Sequence, residues 1–189
     1  MSLVSAVNSG LHGAFLLARG QRQGAALVES DMGGAARSFW ALPVSLPTVV
    51  CLRLMDWAGP GLPKDAAHVL SRDMLVFAAG WLLFAVVTWR LAGRVGRASR
   101  WPHFIAAWNW CNVIENLLLV FGGIPALLGG PHIVGQLAEV VTTGWALWLE
   151  WYAARLTLGI GPLSAAMLVI MDLTIGLVLS GLGPVLGGG

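Results

Sequence analysis

The chain has 189 residues, of which 57% are hydrophobic and 11% charged, with a formal net charge of +2; its mean hydropathy is +0.78. A soluble domain carries about 25% charged residues, so this composition excludes an ordinary soluble globule, a disordered chain and a nucleic-acid module. It points to a multi-pass membrane protein without a sizeable soluble domain. Ten of the eleven basic residues are arginine, Lys64 being the exception, and their scatter leaves no basic face for nucleic acid. Cys51 and Cys111 stand in apolar stretches without CxxC spacing and read as small apolar side chains.

In chain order, residues 1–35 form an amphipathic, interfacial segment. The start, MSLVSAVNSGLHGAFLLARG, has no charged leader and a broken apolar run, so it does not read as a signal peptide. Leu3, Val4, Val7, Leu11, Ala14, Phe15 and Leu17 recur at helical spacing before Arg19 and Arg22, which predicts a helix lying on the membrane surface. A disordered start is the competing reading. Ser30 and Asp31 then form an N-cap signal.

Residues 36–182 read as an all-α polytopic bundle of five transmembrane helices, near 38–54, 74–91, 104–128, 133–158 and 163–182, each close to the roughly 20 residues that cross a hydrocarbon core. Pro43 and Pro47 predict a kinked first span. Residues 58–68, with Gly59, Pro60, Gly61 and Pro63, form a loop, and 183–189 a glycine-rich tail.

Five spans distribute the positive charge unequally. Arg19, Arg22, Arg37, Arg90, Arg94, Arg97, Arg100 and Arg155 fall on one side, and Arg53, Lys64 and Arg72 on the other. Basic loops stay cytoplasmic, so the N-terminus is expected inside and the C-terminus outside. Trp40, Trp89, Trp101, Trp148, Trp151 and Tyr152 gather at the predicted inner ends as an aromatic belt, with Trp57 at an outer end. The densest basic loop holds Arg90, Arg94, Arg97 and Arg100; it reads as a topology signal before a lipid-docking patch.

Topology does not explain four of the nine acidic residues, Glu115, Glu139, Glu150 and Asp172, which lie within spans. A central acid costs about 2.5 to 3.5 kcal/mol on insertion scales. In the third span Asn109, Asn112, Glu115 and Asn116 fall within an arc of about 120°. In the fourth, Gly135, Gln136, Glu139, Thr143 and Glu150 share a face, opposite Trp145, Trp148, Trp151 and Tyr152. In the fifth, Asp172, Gly176 and Ser180 form a small-residue packing face headed by an acid. The expected core gathers Glu115, Glu139 and Asp172, with Arg155 as counter-charge for Glu150.

Two functions compete for such a core. The polar residues can act as interhelical hydrogen-bond glue in an accessory or scaffold subunit, or the carboxylates can bind and release a proton or cation in transport. The chain shows no inverted repeat of the kind transporters display, which favours the scaffold. Enzymatic readings find little support: His12, His68, His103 and His132 are isolated, and no HExxH, P-loop, Rossmann or GxSxG motif occurs. Neither a metal nor a cofactor is expected.

SFWALP at 38–43 and EWYAAR at 150–155 resemble segments of small multi-pass membrane proteins of alphaproteobacteria. The arrangement of spans is similar to that of Yip1-like membrane proteins in topology alone. The resemblance implies a bacterial inner membrane and carries over no functional residue. The sequence therefore reads as a non-enzymatic inner-membrane subunit in contact with lipid and with other membrane subunits or copies of itself, with a small proton- or cation-coupled transporter as the alternative.

Overall fold

A computed structural model describes the backbone of residues 3–186 and side chains as far as Gly181. Among the described residues every regular element is helical: α1 (Leu3–Ala18), α2 (Gln23–Leu27), α3 (Met32–Ser38), α4 (Ala41–Ala58), α5 (Ala66–Arg94), a 3₁₀ turn at Ala98–Arg100, α6 (Trp101–Leu127), α7 (His132–Leu158) and α8 (Pro162–Leu186). Four segments are long and apolar enough to cross a membrane: Met32–Ala58, Ala66–Arg94, Ala98–Leu127 and Pro162–Gly181. Helix α7 matches α6 in length, at 27 residues, but Gln136, Glu139 and Glu150 interrupt its apolar character and it is not among the four. The helix α8 continues into the expected tail as far as Leu186; positions 187–189 of that tail lie outside the described residues.

Local chemistry sets the helix ends. Asp31 caps α3, its Oδ1 accepting the Gly34 N–H at 2.6 Å. Pro43 has no N–H to reach the Phe39 carbonyl, which instead accepts from Leu42 at 3.1 Å. The chain accordingly breaks between α3 and α4, whereas α4 runs on through Pro47; the irregularity expected of the first span lies at this junction. After α1, Gly20 at φ 75° completes a Schellman turn in which Gln21 N donates to Leu16 O at 2.9 Å and Gly20 N to Leu17 O at 2.8 Å.

The centre of the molecule is the first half of α6. From 101 to 111 every residue is buried except His103, which is half-buried and bonds through Nε2 to Ala25 O at 2.8 Å. Helices α1, α3, α4 and α7 pack against α6, and α2 reaches it at His103. Gly10 of α1 sits so close to the Trp110 indole that a Cβ there would collide with the ring. Helix α1 lies across α6, reaching from Val44 and Thr48 of α4 to α7, where Trp145 Nε1 donates to Ala18 O at 2.8 Å and Tyr152 OH to Gly20 O at 2.9 Å.

This docking changes the faces expected of α1. Ala6, Gly10, Gly13, Ala14, Leu17 and Ala18 are buried, while Leu3, Val4 and Phe15 are exposed. Small residues let α1 approach α6 and α2 closely, Leu17 is buried beside them with Val7 and Leu11 packed against the core, and Leu3, Val4 and Phe15 point away. On the aromatic face of α7, Trp145 and Tyr152 bond to the end of α1 and Trp151 Nε1 donates to Pro162 O at 3.0 Å, while the Trp145 and Trp148 rings remain exposed. Trp101 of the expected belt is also internal, buried and donating to Thr88 Oγ1 at 3.1 Å.

Helices α6 and α7 form an antiparallel hairpin along their full length. Gly135 faces Ala126 and Gly122 faces Thr142 near one end, and Gly159 meets the Arg100 guanidinium at the other. A Cβ at Gly135 would lie 3.3 Å from the Ala126 Cβ. Helix α5 touches α6 through aromatic rings, Phe84 stacked on Trp108 at 4.3 Å and Trp81 edge-on to Trp108 at 5.3 Å. Helix α8 leans on α5 and α7. Because α5 and α8 stand away from α6 beyond the Trp81–Trp108 contact, a space remains between them.

Candidate functional site

That space is a cavity of about 580 Å³ bounded by α4, α5, α6 and α8. Phe77, Trp81 and Trp108 supply aromatic walls; Asn112, Asn116 and Asp172 supply polar groups; Arg53, Asp56, Arg72 and Asp73 stand toward the α4–α5 loop. Each Asn turns an amide N–H to its own helix, Asn112 to Trp108 O at 3.0 Å and Asn116 to Asn112 O at 2.8 Å. Neither side-chain carbonyl accepts a hydrogen bond from the described residues, and neither does the Asp172 carboxylate. The polar part of this wall therefore consists largely of acceptors without donors.

Two further carboxylates lie beside it. Glu150, 4% exposed, accepts from Trp108 Nε1 at 3.3 Å. Glu115 Oε1 is buried and has no hydrogen-bond partner among the described residues. Glu115, Glu150 and Asp172 are near enough to act on one another electrostatically. Three successive helices, α6, α7 and α8, thus bring one acid each to the same region.

The cavity has one closed end and one charged end. Beyond Trp81 and Trp108 the bundle is sealed: Trp81 Nε1 donates to Asn109 Oδ1 at 2.6 Å, and Asn109 Nδ2 to Ser38 Oγ at 2.7 Å. Toward the α4–α5 loop, Arg53 pairs with Asp73 at 2.7 Å and with Asp56 at 3.3 Å, and Arg72 with Asp73 at 3.1 Å. Arg53, Asp56 and Arg72 are partly exposed, so this end reaches the surface.

The structure redistributes the residues expected from sequence. The α6 stripe divides: Asn109 joins the seal, Asn112 and Asn116 face the cavity, and Glu115 lies beside Glu150 and Asp172. Glu139 is not part of this group; with Thr143 it borders a separate groove against α4 and α6, and both it and Gln136 are exposed. Glu150 takes the place expected of Glu139. Arg155 is not its counter-charge: the guanidinium lies 4.8 Å from the Trp151 ring centroid, and Glu150 is held by an indole. Gly176 and Ser180 line the cavity, and nothing lies within 4 Å of a Cβ at Gly176, so they do not form the expected packing face. Arg90 lies 5.6 Å from the Trp89 ring centroid, and Arg94, Arg97 and Arg100 form no ion pair among the described residues.

Ser38, Trp81, Trp108, Arg53 and Asp73 were not among the expected site residues. Trp108 stands four positions before Asn112, so extending the polar stripe by one turn would have reached it. The other four come from distant parts of the chain and join the site only through folding. The chain matches no protein-family model, no curated protein and no solved structure.

Proposed function

We propose that the protein is a five-span inner-membrane protein that binds and passes a proton or small cation by means of intramembrane carboxylates. The proposal rests on one observation: Glu115, Glu150 and Asp172, from three different helices, gather beside a cavity that is sealed at one end. Carboxylates in such places mark ion and proton pathways. The fifth crossing is supported by the antiparallel α6–α7 hairpin, which returns the chain from Gly129 to the level of Arg100 before α8 begins. The arrangement of arginines supports a cytoplasmic N-terminus, with the charged end of the cavity outside. Helix α1 then lies near the inner interface, with Leu3, Val4 and Phe15 toward lipid. Neither this function nor the alternative below requires an enzymatic step.

The test is flux into liposomes carrying a pH-sensitive dye. Wild-type protein is expected to admit protons down an imposed gradient, and Glu115→Gln and Asp172→Asn to abolish the flux while the protein remains folded and monodisperse. Equal flux from wild type and both variants would refute the proposal.

An accessory-subunit function is favoured by a different observation, the exposed Gln136, Glu139 and Thr143 on α7. Lipid satisfies neither an amide nor a carboxylate, so a partner subunit or second copy would cover them. A stoichiometric partner in a mild-detergent pull-down, lost on Glu139→Leu, would support this function.

A further inference from the structure

We infer that the cavity between α4, α5, α6 and α8 is a binding site for a small organic ammonium ion, whose charged head meets Asp172 and whose apolar part lies along Phe77, Trp81 and Trp108. This inference deepens the cation-binding function proposed above and rests on it. Three features select the ligand. First, the inner polar wall is mainly acceptor: Asp172 and the side-chain carbonyls of Asn112 and Asn116 line the cavity without a hydrogen-bond donor among the described residues, and the lining donors are the ion-paired Arg53 and Arg72 and the hydroxyl of Ser180. A positively charged ligand with N–H groups answers the three acceptors that line the cavity.

Second, the remaining wall is aromatic. The faces of Trp and Phe attract cations and also cover an alkyl or aryl body. Third, the size and the ligand set disfavour a bare metal ion. A volume of about 580 Å³ lies within the range of small-molecule sites, about 300 to 1,000 Å³. Among the described residues no three His, Cys, Asp or Glu side chains are grouped to hold a metal ion. The carboxylates are spread along the cavity and its flank rather than focused on a point. The ion-paired Arg53, Asp56, Arg72 and Asp73 at the charged end carry no net charge as a group, so they leave Asp172, the carboxylate that lines the interior, as the main attraction for a cation.

The experiment uses the full-length protein in lipid nanodiscs and calorimetric titration with n-butylammonium, with n-butanol as its uncharged analogue and with sodium and potassium chloride. Butylammonium is expected to bind and butanol to bind at least about tenfold more weakly, a difference of about 1.4 kcal/mol. Asp172→Asn is expected to weaken butylammonium by about tenfold or more. Gly176→Leu provides a second variant, because a side chain there enters open space instead of a packed contact, and it is expected to abolish binding without altering thermal stability. Equal binding of butanol, unchanged binding by a folded Asp172→Asn, unchanged binding by Gly176→Leu, or displacement by equimolar sodium or potassium would each overturn the inference. Flux that persists without butylammonium binding would overturn the inference alone. Binding without any proton or cation flux would support the inference and overturn the transport function.

Discussion

Trp108 joins two helices to α6 with one side chain: its Nε1 donates to Glu150 Oε1 of α7 at 3.3 Å, while its ring stacks on Phe84 of α5 at 4.3 Å. The two contacts are separable. Trp108→Phe keeps an aromatic ring for Phe84 and removes the donor, leaving the Glu150 carboxyl unpartnered; the expected loss is about 1 to 3 kcal/mol. Glu150→Gln retains an acceptor oxygen and is expected to cost less. Thermal unfolding in detergent of Trp108→Phe, Glu150→Gln, Glu150→Leu and Trp108→Phe combined with Glu150→Leu would check this. The combined variant is expected to be more stable than the sum of its parts predicts, and strict additivity would contradict the coupling.

At the charged end of the cavity, Arg53 holds Asp73 at 2.7 Å and joins α4 to α5, two helices with few other contacts. Arg53→Ala leaves Asp73, only 15% exposed at its side chain, with Arg72 alone. Because Arg53 is itself partly exposed, solvent screens the pair, and the expected loss is about 1 kcal/mol, near the upper end for surface pairs. Arg53→Ala with Asp73→Asn should lose little more than Arg53→Ala by itself. A double-mutant cycle in thermal stability measures the difference, and a coupling of zero would show that the pair does not tie α4 to α5.

Two glycines make opposite predictions. Gly10 abuts the Trp110 indole, and Gly10→Leu is expected to lift α1 from α6, exposing backbone amides of residues 103–111 to hydrogen exchange. Gly144, in the middle of α7, has nothing within 4 Å of a Cβ. Gly144→Ala there is expected to stabilise by up to about 1 kcal/mol through helix propensity. If exchange in α6 is unchanged by Gly10→Leu, α1 is not the cover described here.

The number of crossings is decided by cysteine labelling. In a background of Cys51→Ser, with buried Cys111 retained, single cysteines at Ser99, Gly129 and Gly161 are treated with a membrane-impermeant maleimide from each side. Five crossings place Ser99→Cys and Gly161→Cys on the same side and Gly129→Cys on the other. Labelling of Gly161→Cys together with Gly129→Cys would mean that α7 does not cross.

Periodicity conveyed the direction in which a side chain leaves its helix, but not how many neighbours await it. Glu139 and Glu150 are eleven positions apart, about three helical turns, and leave α7 on nearly the same side. Their fates differ because the first part of α7 has α6 as its main cover, whereas the part around Glu150 is flanked by α1 and α8 as well. The small-residue spacing of Asp172, Gly176 and Ser180 was equally visible, yet α5 and α8 stand off from α6 and the face lines a cavity. Composition, helix positions, the Asp31 cap and the Gly135 contact were legible from local chemistry. The Asn109–Trp81–Ser38 seal was not, because it joins residues 28 and 71 positions apart, and nothing local to any of the three announces the others.

The separation of α8 from α6 has a consequence for how the molecule is assembled. Helix α8 follows every other described helix in the chain, so the α6–α7 hairpin and its wrapping by α1 to α3 can be complete before the cavity acquires its final wall. Until then Glu115 and Glu150 face whatever occupies the place of α8. Insertion machinery or lipid headgroups would have to shelter them during that interval. The step that creates the site is thus also the step that ends the exposure of its acids, and a chain interrupted before Pro162 would retain a packed core while leaving two carboxylates at an open seam.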